Sequence, residues 1–378
     1  MKITKEDLRK SLNKGMTDAE IAAKFDCSPS TVAVRRRNLL REDAGMEAAL
    51  DRPLIEGQGL WGVSSLYKAG EDKPALQWVK TKVDPAKQEA IIKELLRGAM
   101  DEMPKAEPEP IHIVMPTQEN LLSMYVFTDF HLGMMAWGEE SGADWDLKIA
   151  EELALRWMEQ AVARSLPAKR AVLVNLGDFL HWDGLEAVTP TSGHVLDADS
   201  RFTKLVRVAI RLLRKLIGML LNKHEEVEVI CAEGNHDLAS SVWLRELLFN
   251  LYEGEPRVTV NVSADPYYCV EHGEVSLFFH HGHLKRQNGI SQAMAAKFRE
   301  VWGRTKHSYA HVGHLHHTKQ LEDSLMIVEQ HRTLAAPDAY AARGAWLSGR
   351  SAPVITYHSQ YGEIERHTIS PAMLGLGD

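Results

Sequence analysis

Five short motifs in the middle and C-terminal parts of the chain carry side chains that can bind divalent cations. Carboxylates, amides and imidazoles of this kind are common ligands of such cations in proteins. In chain order the motifs are Asp129-Phe130-His131, Gly177-Asp178, Gly234-Asn235-His236-Asp237, His281-Gly282-His283 and Gly313-His314-Leu315-His316. Taken singly, each would more often be a turn or a structural histidine, but turns do not require so many imidazoles. Together they predict metal-dependent chemistry on an anionic substrate.

Most of the motifs directly follow an apolar stretch that is typical of a buried strand. These stretches cover residues 121–128, 171–176, 227–232, 275–280 and 308–312. The spacing of apolar residues predicts amphipathic helices at 147–161 and 205–220, between the first three strands. Further β-rich stretches at 325–334, 354–358 and 363–369 are expected to complete a second layer. Because ligands in open α/β sheets lie beyond the carboxyl ends of strands, the motifs can converge in space.

The order of the motifs resembles the calcineurin-like metallophosphoesterase superfamily, from about Leu121 to His316. The resemblance implies an α/β fold, in the form of a four-layer α+β sandwich of two sheets flanked by helices. The first motif, followed by Leu132-Gly133, is most similar to nuclease subunits of the SbcD and Mre11 type. The His-Gly-His motif is more similar to the small phosphodiesterases of the superfamily. We expect no large C-terminal capping domain of the SbcD and Mre11 type, so the subfamily stays open.

The resemblance also implies how two divalent cations would share the ligands. Asp178 bridges them. The coordination of one ion is completed by Asp129, His131 and His316, and that of the other by Asn235, His281 and His314. The mixture of oxygen and imidazole ligands without thiolate favours Mn²⁺, with Fe²⁺, Zn²⁺ or Mg²⁺ as alternatives.

His236 and Asp237 are the expected catalytic residues. The resemblance directs His236 at the scissile phosphate, where an imidazole can stabilise the transition state or protonate the leaving oxygen. We expect Asp237 to orient that ring through its far nitrogen, as carboxylates next to functional histidines commonly do.

Two further residues are weaker candidates for contact with the substrate. His283 is the additional histidine that we most expect to touch it. Arg201, in the polar loop after the second motif, could clamp a phosphate, although an ion pair with Asp197 or Asp199 is equally compatible. The remaining histidines of these segments are expected to be structural, namely His181, His280, His311 and His317.

The first 45 residues are net basic and predict a small all-α domain. Thr17 to Glu20 matches a capping box, and a second helix follows the turn at 26–28. With a helix at 6–12, this pattern resembles the helix-turn-helix of resolvases and small regulators. The resemblance implies DNA contact, and Arg35, Arg36 and Arg37 are the basic residues that would make it. The alternative is a protein-binding or oligomerising bundle with solvated arginines.

The chain is therefore expected to contain three regions. Residues 1–45 form the helix-turn-helix, and residues 111–378 form the catalytic domain. Residues 46–110 hold a hairpin of strands 60–67 and 76–83, a helix at 85–100 and a proline-rich linker at 104–110.

The composition is that of an ordinary globular protein. The 378 residues are 44% hydrophobic and 25% charged. No apolar run reaches the length of a membrane span, and the N-terminus is charged, so we expect no membrane contact or signal peptide. Three scattered cysteines (Cys27, Cys231 and Cys269) favour a reducing, cytoplasmic location. The net charge of -8 is only a weak argument against DNA binding, because a metal site itself requires acidic residues.

The expected function is hydrolysis of phosphodiester bonds, with DNA as the preferred substrate. Such a nuclease would suit phage or prophage DNA metabolism, and both exonuclease and endonuclease cleavage stay open. One alternative is a phosphatase or phosphodiesterase acting on nucleotides or phosphoproteins. Another is a DNA-binding regulator whose phosphoesterase domain acts as a sensor. A homodimer is compatible with the sequence, whereas an SbcC-like ATPase partner cannot be inferred from it.

Overall fold

The computed structural model describes residues 116–190, 193–346 and 348–375, the backbone of 58–66 and 76–83, Ala106, and parts of 4–36. The chain divides into two compact units, Met1–Leu95 and Leu96–Asp378, and each is described here by itself. The predicted division into three regions stays a prediction.

The first unit contains the predicted capping box and hairpin. Helix α1 (Asp18–Lys24) begins at Thr17, whose backbone N–H donates to the Glu20 carboxylate at 2.7 Å, while the Glu20 N–H donates to the Thr17 hydroxyl at 3.3 Å. Strands β1 (Gln58–Leu66) and β2 (Leu76–Val83) pair antiparallel. Both predictions are confirmed. The predicted helix at 85–100 lies outside the described residues, as does the linker at 104–110 except for Ala106.

A small apolar cluster holds the helical residues of this unit together. It consists of Leu8, Ile21, Ala22 and Val32, all buried. Ile21 and Ala22 lie on α1, while Leu8 and Val32 belong to helical stretches before and after it. This arrangement agrees with packed helices around a short turn, and it does not by itself distinguish a DNA-binding module from a protein-binding one.

The second unit alternates strands and helices in its first half and is richer in strands in its second half. The first half contains β3 (Gln118–Phe127), α2 (Gly138–Ser141), α3 (Leu147–Arg164), β4 (Ala168–Asn175), α4 (Phe202–Leu221), β5 (Glu226–Cys231), α5 (Leu238–Tyr252) and β6 (Val258–Val260). The second half contains β7 (Tyr268–His272), β8 (Val275–Phe279), α6 (Ile290–Lys297), α7 (Arg299–Arg304), β9 (His307–Val312), β10 (Lys319–Glu322), β11 (Ile327–Gln330), α8 (Ala339–Arg343), β12 (Ala352–His358) and β13 (Gly362–Ile369). Two 3₁₀ turns, Gln287–Gly289 and Pro371–Leu374, complete it.

These strands form two sheets that pack face to face. The six-stranded sheet has the order β13-β12-β3-β4-β5-β6, and the five-stranded sheet has the order β10-β11-β9-β8-β7. One buried cluster joins them, with Met124 and Val174 from the first sheet and Leu277 and Phe279 from the second. Burial of this apolar surface is the main stabilising contribution.

Helices cover the outer faces of both sheets. On the six-stranded sheet, Trp157 of α3 packs against Phe127 with ring centroids 6.1 Å apart. On the five-stranded sheet, Ile290 and Met294 of α6 pack against Phe278. The order helix, sheet, sheet, helix confirms the expected four-layer α/β fold. The stretches 354–358 and 363–369 were expected in the second layer, and this prediction is wrong, because they form β12 and β13, and β12 pairs antiparallel with β3 of the first sheet. Among the described residues, no helix combines the length and apolarity needed to cross a bilayer.

Strand register brings the motifs to one edge. Phe127, Asn175 and Cys231 are aligned in the parallel strands β3, β4 and β5. In the other sheet, Phe279 of β8 pairs in parallel with His311 of β9. The chain leaves each of these strands at its carboxyl end, immediately before a motif, as the sequence predicted.

Candidate metal centre

The seven predicted ligands converge beyond the strand ends. Asp129, His131 and His316 form one group, and Asp178, His281 and His314 form a second; within each group the ligand atoms lie within 4.8 Å of one another. The seventh ligand, Asn235, places its Oδ1 at 3.2 Å from His281 Nε2. Each group contains ligands that the resemblance assigned to one cation, while the sharing of Asp178 between two cations stays a prediction.

The backbone at these residues is unusual. Among the described residues, six that are not glycine have positive φ, and five of them are predicted ligands: Asp129, His131, Asp178, His314 and His316. Residues other than glycine enter this region at a cost, which surrounding structure must compensate. Such conformations concentrate at functional sites, because they direct side chains where regular structure would not.

Two motif glycines allow the segments to approach each other. A Cβ on Gly234 would overlap the backbone nitrogen and carboxylate of Asp178, and a Cβ on Gly313 would overlap the Thr128 hydroxyl. The glycines in these motifs are therefore required by close packing, in addition to any freedom they give the chain.

The surroundings of the Asp129 carboxylate fit those of a cation ligand. Asp129 is fully buried, and its Oδ2 accepts hydrogen bonds from the Thr128 hydroxyl at 2.5 Å and the His314 backbone N–H at 2.8 Å. Its Oδ1 has no hydrogen-bond partner among the described residues and lies 3.2 Å from His316 Nε2. A buried anionic oxygen surrounded by imidazole nitrogens fits a divalent cation.

The buried carboxylates raise the pKa values of two neighbouring histidines. Burial disfavours a charged His281, but Asp178, whose Oδ2 is 3.2 Å from His281 Nε2, and Asp129 outweigh this and raise the pKa of His281 to about 10. Burial likewise opposes a charged His316, yet the Asp129 carboxylate raises its pKa. A cation that binds here must displace these protons, so metal binding is coupled to proton release.

We expect the metal-free protein to lose stability as the pH rises from about 6.5 towards 10. His281 has a folded-state pKa above its unfolded value of about 6.5, so its contribution is complete below that value and is lost as the pH rises through about 10. Saturating Mn²⁺ should remove most of this dependence. Melting temperatures at several pH values, with chelator or with Mn²⁺, measure the effect. The chelator curve should be flatter for His281→Gln, and an identical slope would contradict the assignment.

His181 lies beside His131 and was not expected to belong to the site. The two Nδ1 atoms are 3.3 Å apart. Burial, followed by the nearby His236, lowers the pKa of His181 to about 3, so its ring is neutral and can accept a hydrogen bond. If His131 Nδ1–H donates to it, His131 Nε2 is left free for a cation. The one signal in the sequence was the position of His181, three residues after Asp178 in the same loop.

The ring of His236 is oriented by a backbone carbonyl. His236 Nδ1 donates to the carbonyl oxygen of His181 at 2.9 Å, so Nε2 is the nitrogen left for a substrate. The ring lies 4.8 Å from that of His131, measured between centroids. His236 thus lies next to the first ligand group, and its contact with a substrate stays a prediction.

Asp237 was expected to orient the ring of His236, and this prediction is wrong. Its buried carboxylate accepts hydrogen bonds from four backbone N–H groups, those of Gly234, Asp178, Phe179 and Leu180, at 2.7 to 3.2 Å. It therefore holds the loop that carries Asp178 and does not orient the ring of His236. Asp237 acts on the site through the position of Asp178.

No described contact brings Arg201 to the metal centre. Arg201 is exposed at the start of α4, and the described residues contain no ion pair between it and Asp197 or Asp199. Asp199 instead accepts from the Leu147 N–H at 3.1 Å. In the first unit, Arg36 pairs with Asp18 at 3.1 Å. Arg35 is helical, and Arg37 lies outside the described residues.

A third histidine and carboxylate group is a structural network. His311, Glu329 and His331 are close together and buried. Arg366 binds both oxygens of Glu329 at 2.5 and 2.8 Å, and His311 Nδ1 lies 2.9 Å from His331 Nε2. Because these groups satisfy one another, the expectation that His311 is structural agrees with the geometry.

No protein-family model and no curated protein matches the sequence. Several solved structures are similar. A predicted phosphoesterase from Streptococcus pneumoniae is 11% identical, with 66% of this chain and 98% of that chain covered and a TM-score of 0.30. A novel archaeal phosphodiesterase is 13% identical over the same shares, with a TM-score of 0.34. A 5'-nucleotidase from Candida albicans is 12% identical, with 73% of this chain and 55% of that chain covered and a TM-score of 0.33. Similarities this remote assign neither a family nor an activity to the chain.

Proposed function

We propose that this protein is a metal-dependent phosphodiesterase that uses two divalent cations. The observation that carries the proposal is the convergence of two ligand groups around the buried carboxylates of Asp129 and Asp178. Burying two carboxylates side by side is costly unless positive charge compensates them. The residues of both groups fit such cations in number and in chemistry.

The two groups would hold the cations that this chemistry requires. When bound, two divalent ions neutralise the charge of a phosphodiester and provide a nucleophilic water at neutral pH. The chain's own residues supply the remaining functions. His236, fixed at Nδ1 by the His181 carbonyl, presents Nε2 to the substrate, where it can protonate the leaving oxygen. Asp237 keeps Asp178 in place through the backbone of the loop.

DNA is the substrate that we propose within this class, with Mn²⁺ as the first choice of metal. The support is the basic N-terminal unit, in which helical residues pack around a buried apolar cluster. The ion pair between Arg36 and Asp18 weakens the support only slightly, because exposed pairs of this kind contribute little and a phosphate could displace Asp18. A nucleotide or phosphoprotein substrate is the alternative.

The decisive experiment is hydrolysis of a substrate panel in the presence of Mn²⁺ and after chelation. Labelled single-stranded, double-stranded and nicked DNA would be compared with nucleotides, a phosphopeptide and bis(p-nitrophenyl) phosphate. Metal-dependent cleavage of DNA supports the full proposal. If only nucleotides or the phosphopeptide are cleaved, they replace DNA as the proposed substrate. If no diester is hydrolysed in a metal-dependent way, the proposal is refuted.

The link between the N-terminal unit and DNA predicts a specific salt dependence. We expect replacement of Arg35, Arg36 and Arg37 by alanine to weaken DNA binding and to reduce the slope of log affinity against log salt by about 0.9 for each lost phosphate contact. Hydrolysis of bis(p-nitrophenyl) phosphate should not change. Fluorescence anisotropy at several salt concentrations measures the slope.

A matched control removes the same charge from another helix. Arg207, Arg211 and Arg214 are exposed on α4, and their triple replacement by alanine should leave the DNA slope unchanged. A shortened protein starting at Leu96, where the second unit begins, should behave like the N-terminal triple variant. Equal salt slopes in the wild-type protein, the two triple variants and the shortened protein would identify the N-terminal unit as a structural or protein-binding element.

A further inference from the structure

A column of stacked side chains leads from the surface to the metal centre. Lys297 Nζ lies 4.5 Å from the centroid of the Tyr267 ring. Tyr267 stacks on His280, with centroids 4.5 Å apart and planes at 23°. His280 stacks in turn on His283 at 5.8 Å and 9°. His283 is therefore held face to face by a rigid support.

His283 ends this column beside two predicted ligands. Its ring centroid is 5.3 Å from that of His281 and 6.4 Å from that of His314. It belongs to none of the groups whose ligand atoms lie within 4.8 Å of one another in the described residues. Its Nδ1 is buried, and no hydrogen-bond partner for it exists among those residues. Its Nε2 also has no hydrogen-bond partner among those residues but, unlike Nδ1, retains accessible surface, so Nε2 is the nitrogen that a ligand can reach.

His280 determines where His283 lies. The fully buried ring of His280 accepts, at Nδ1, a hydrogen bond of 2.8 Å from the backbone N–H of Gly282. Gly282 has a φ of 117°, a conformation that only glycine adopts readily, and a Cβ there would lie 3.3 Å from the Gly313 carbonyl oxygen. The contact with His280 therefore fixes the turn that carries His283 towards the ligands.

We propose that His283 binds the substrate by donating its Nε2–H to a non-bridging phosphoryl oxygen, and that His280 is a positioning residue for it. This inference rests on the proposed function and names a contact at the same site. A phosphoryl oxygen is anionic and lacks hydrogen, so it requires a donor, and hydrogen bonds to charged oxygens are stronger than neutral ones. The partner that Nε2 lacks among the described residues is thereby provided by the substrate.

Replacement of His283 tests the contact. His283→Ala should keep the metal content of the wild-type protein, measured by inductively coupled plasma mass spectrometry. We expect it to lose about 10- to 100-fold in kcat/KM for a generic diester, the range for a hydrogen bond to a charged group. The affinity of the Mn²⁺-loaded protein for inorganic phosphate, measured by calorimetry, should fall in the same direction. His283→Gln, whose amide can place a donor near the position of Nε2, should recover part of both losses.

Replacement of His280 separates positioning from contact. His280→Phe keeps a buried ring that stacks on Tyr267 but cannot accept from Gly282. It should show a smaller loss than His283→Ala, and the double variant should lose no more than His283→Ala alone, since His280 acts through His283. The control is His358→Ala. His358 pairs with Leu121 at the start of β3, at the opposite edge of the sheet, and its replacement should change neither value.

The outcomes discriminate between this inference and the proposed function. Unchanged phosphate affinity and kcat/KM in His283→Ala would overturn the inference, as would loss of a bound metal ion, which would make His283 a ligand. If the wild-type protein binds phosphate through its metals and His283 but hydrolyses no diester, the contact stands and the proposed function fails. If it binds no phosphate in the presence of metal, both fail.

Discussion

Asp178→Asn should abolish phosphodiester hydrolysis and lower the number of divalent cations bound per chain. Asp178 is buried, with Oδ2 at 3.2 Å from His281 Nε2 and Oδ1 accepting from the His236 N–H at 2.8 Å. The amide keeps the size of the side chain but removes the charge that would let two cations lie side by side. We expect hydrolysis of bis(p-nitrophenyl) phosphate to fall by more than about 10²-fold, because a metal-activated nucleophile contributes several kcal/mol.

The matched control for this variant is Asp323→Asn. Asp323 lies in the turn between β10 and β11, at the amino end of β11, and therefore at the sheet edge opposite the metal centre. This variant should retain its metals and activity. Full activity of Asp178→Asn with a single bound metal ion would rule out the mechanism with two cations.

His236→Ala should retain both metal ions but lose activity by a factor of about 10² to 10⁴, as expected for a positioned acid or base. The reason is geometric. His236 Nδ1 is engaged by the His181 carbonyl, its Nε2 remains for the substrate, and its backbone N–H already supports Asp178. Since alanine keeps that backbone N–H, the metal ligands should stay in place.

Metal content and kinetics measured on the same preparation decide the role of His236. His358→Ala, at the far edge of the sheet, provides the matched change of residue type. Loss of metal ions from His236→Ala would mean that His236 is a ligand. Retention of both metals with full activity would remove it from the chemistry and leave protonation of the leaving oxygen to solvent.

The predictions that failed or were incomplete concern contacts between loops. Asp237 was expected to orient its neighbour in sequence, but adjacent side chains in a turn point in different directions. Its carboxylate is directed at the backbone of Phe179 and Leu180, which lie beside Asp237 because β4 and β5 are neighbours in the sheet. His181 was expected to be structural because the sequence does not show which loops approach each other. Its Nδ1 lies 3.3 Å from that of His131 because two loops that follow different strands meet.

The shorter strands were also missed by the sequence analysis. β6 has 3 residues and β10 has 4, too few to show an alternating pattern. β11 is confined to Ile327–Gln330 within the expected stretch 325–334, because strand length is limited here by the partners β9 and β10 and not by apolar character. The longer strands β3, β4 and β5 were found because they are buried on both faces and read as continuous apolar runs.

The sequence by itself determined the strands that support the motifs, and the order of the motifs, through the family resemblance, implied the four-layer fold and the set of seven candidate ligands. Those features depend on local patterns, namely apolar runs, helical periodicity and residue types at strand ends. Tertiary structure alone decided which nitrogen of His236 stays free, which groups the Asp237 carboxylate binds and which buried atoms lack a partner. These properties depend on distances between segments far apart in the chain, and such distances are set by strand register and by packing of the two sheets.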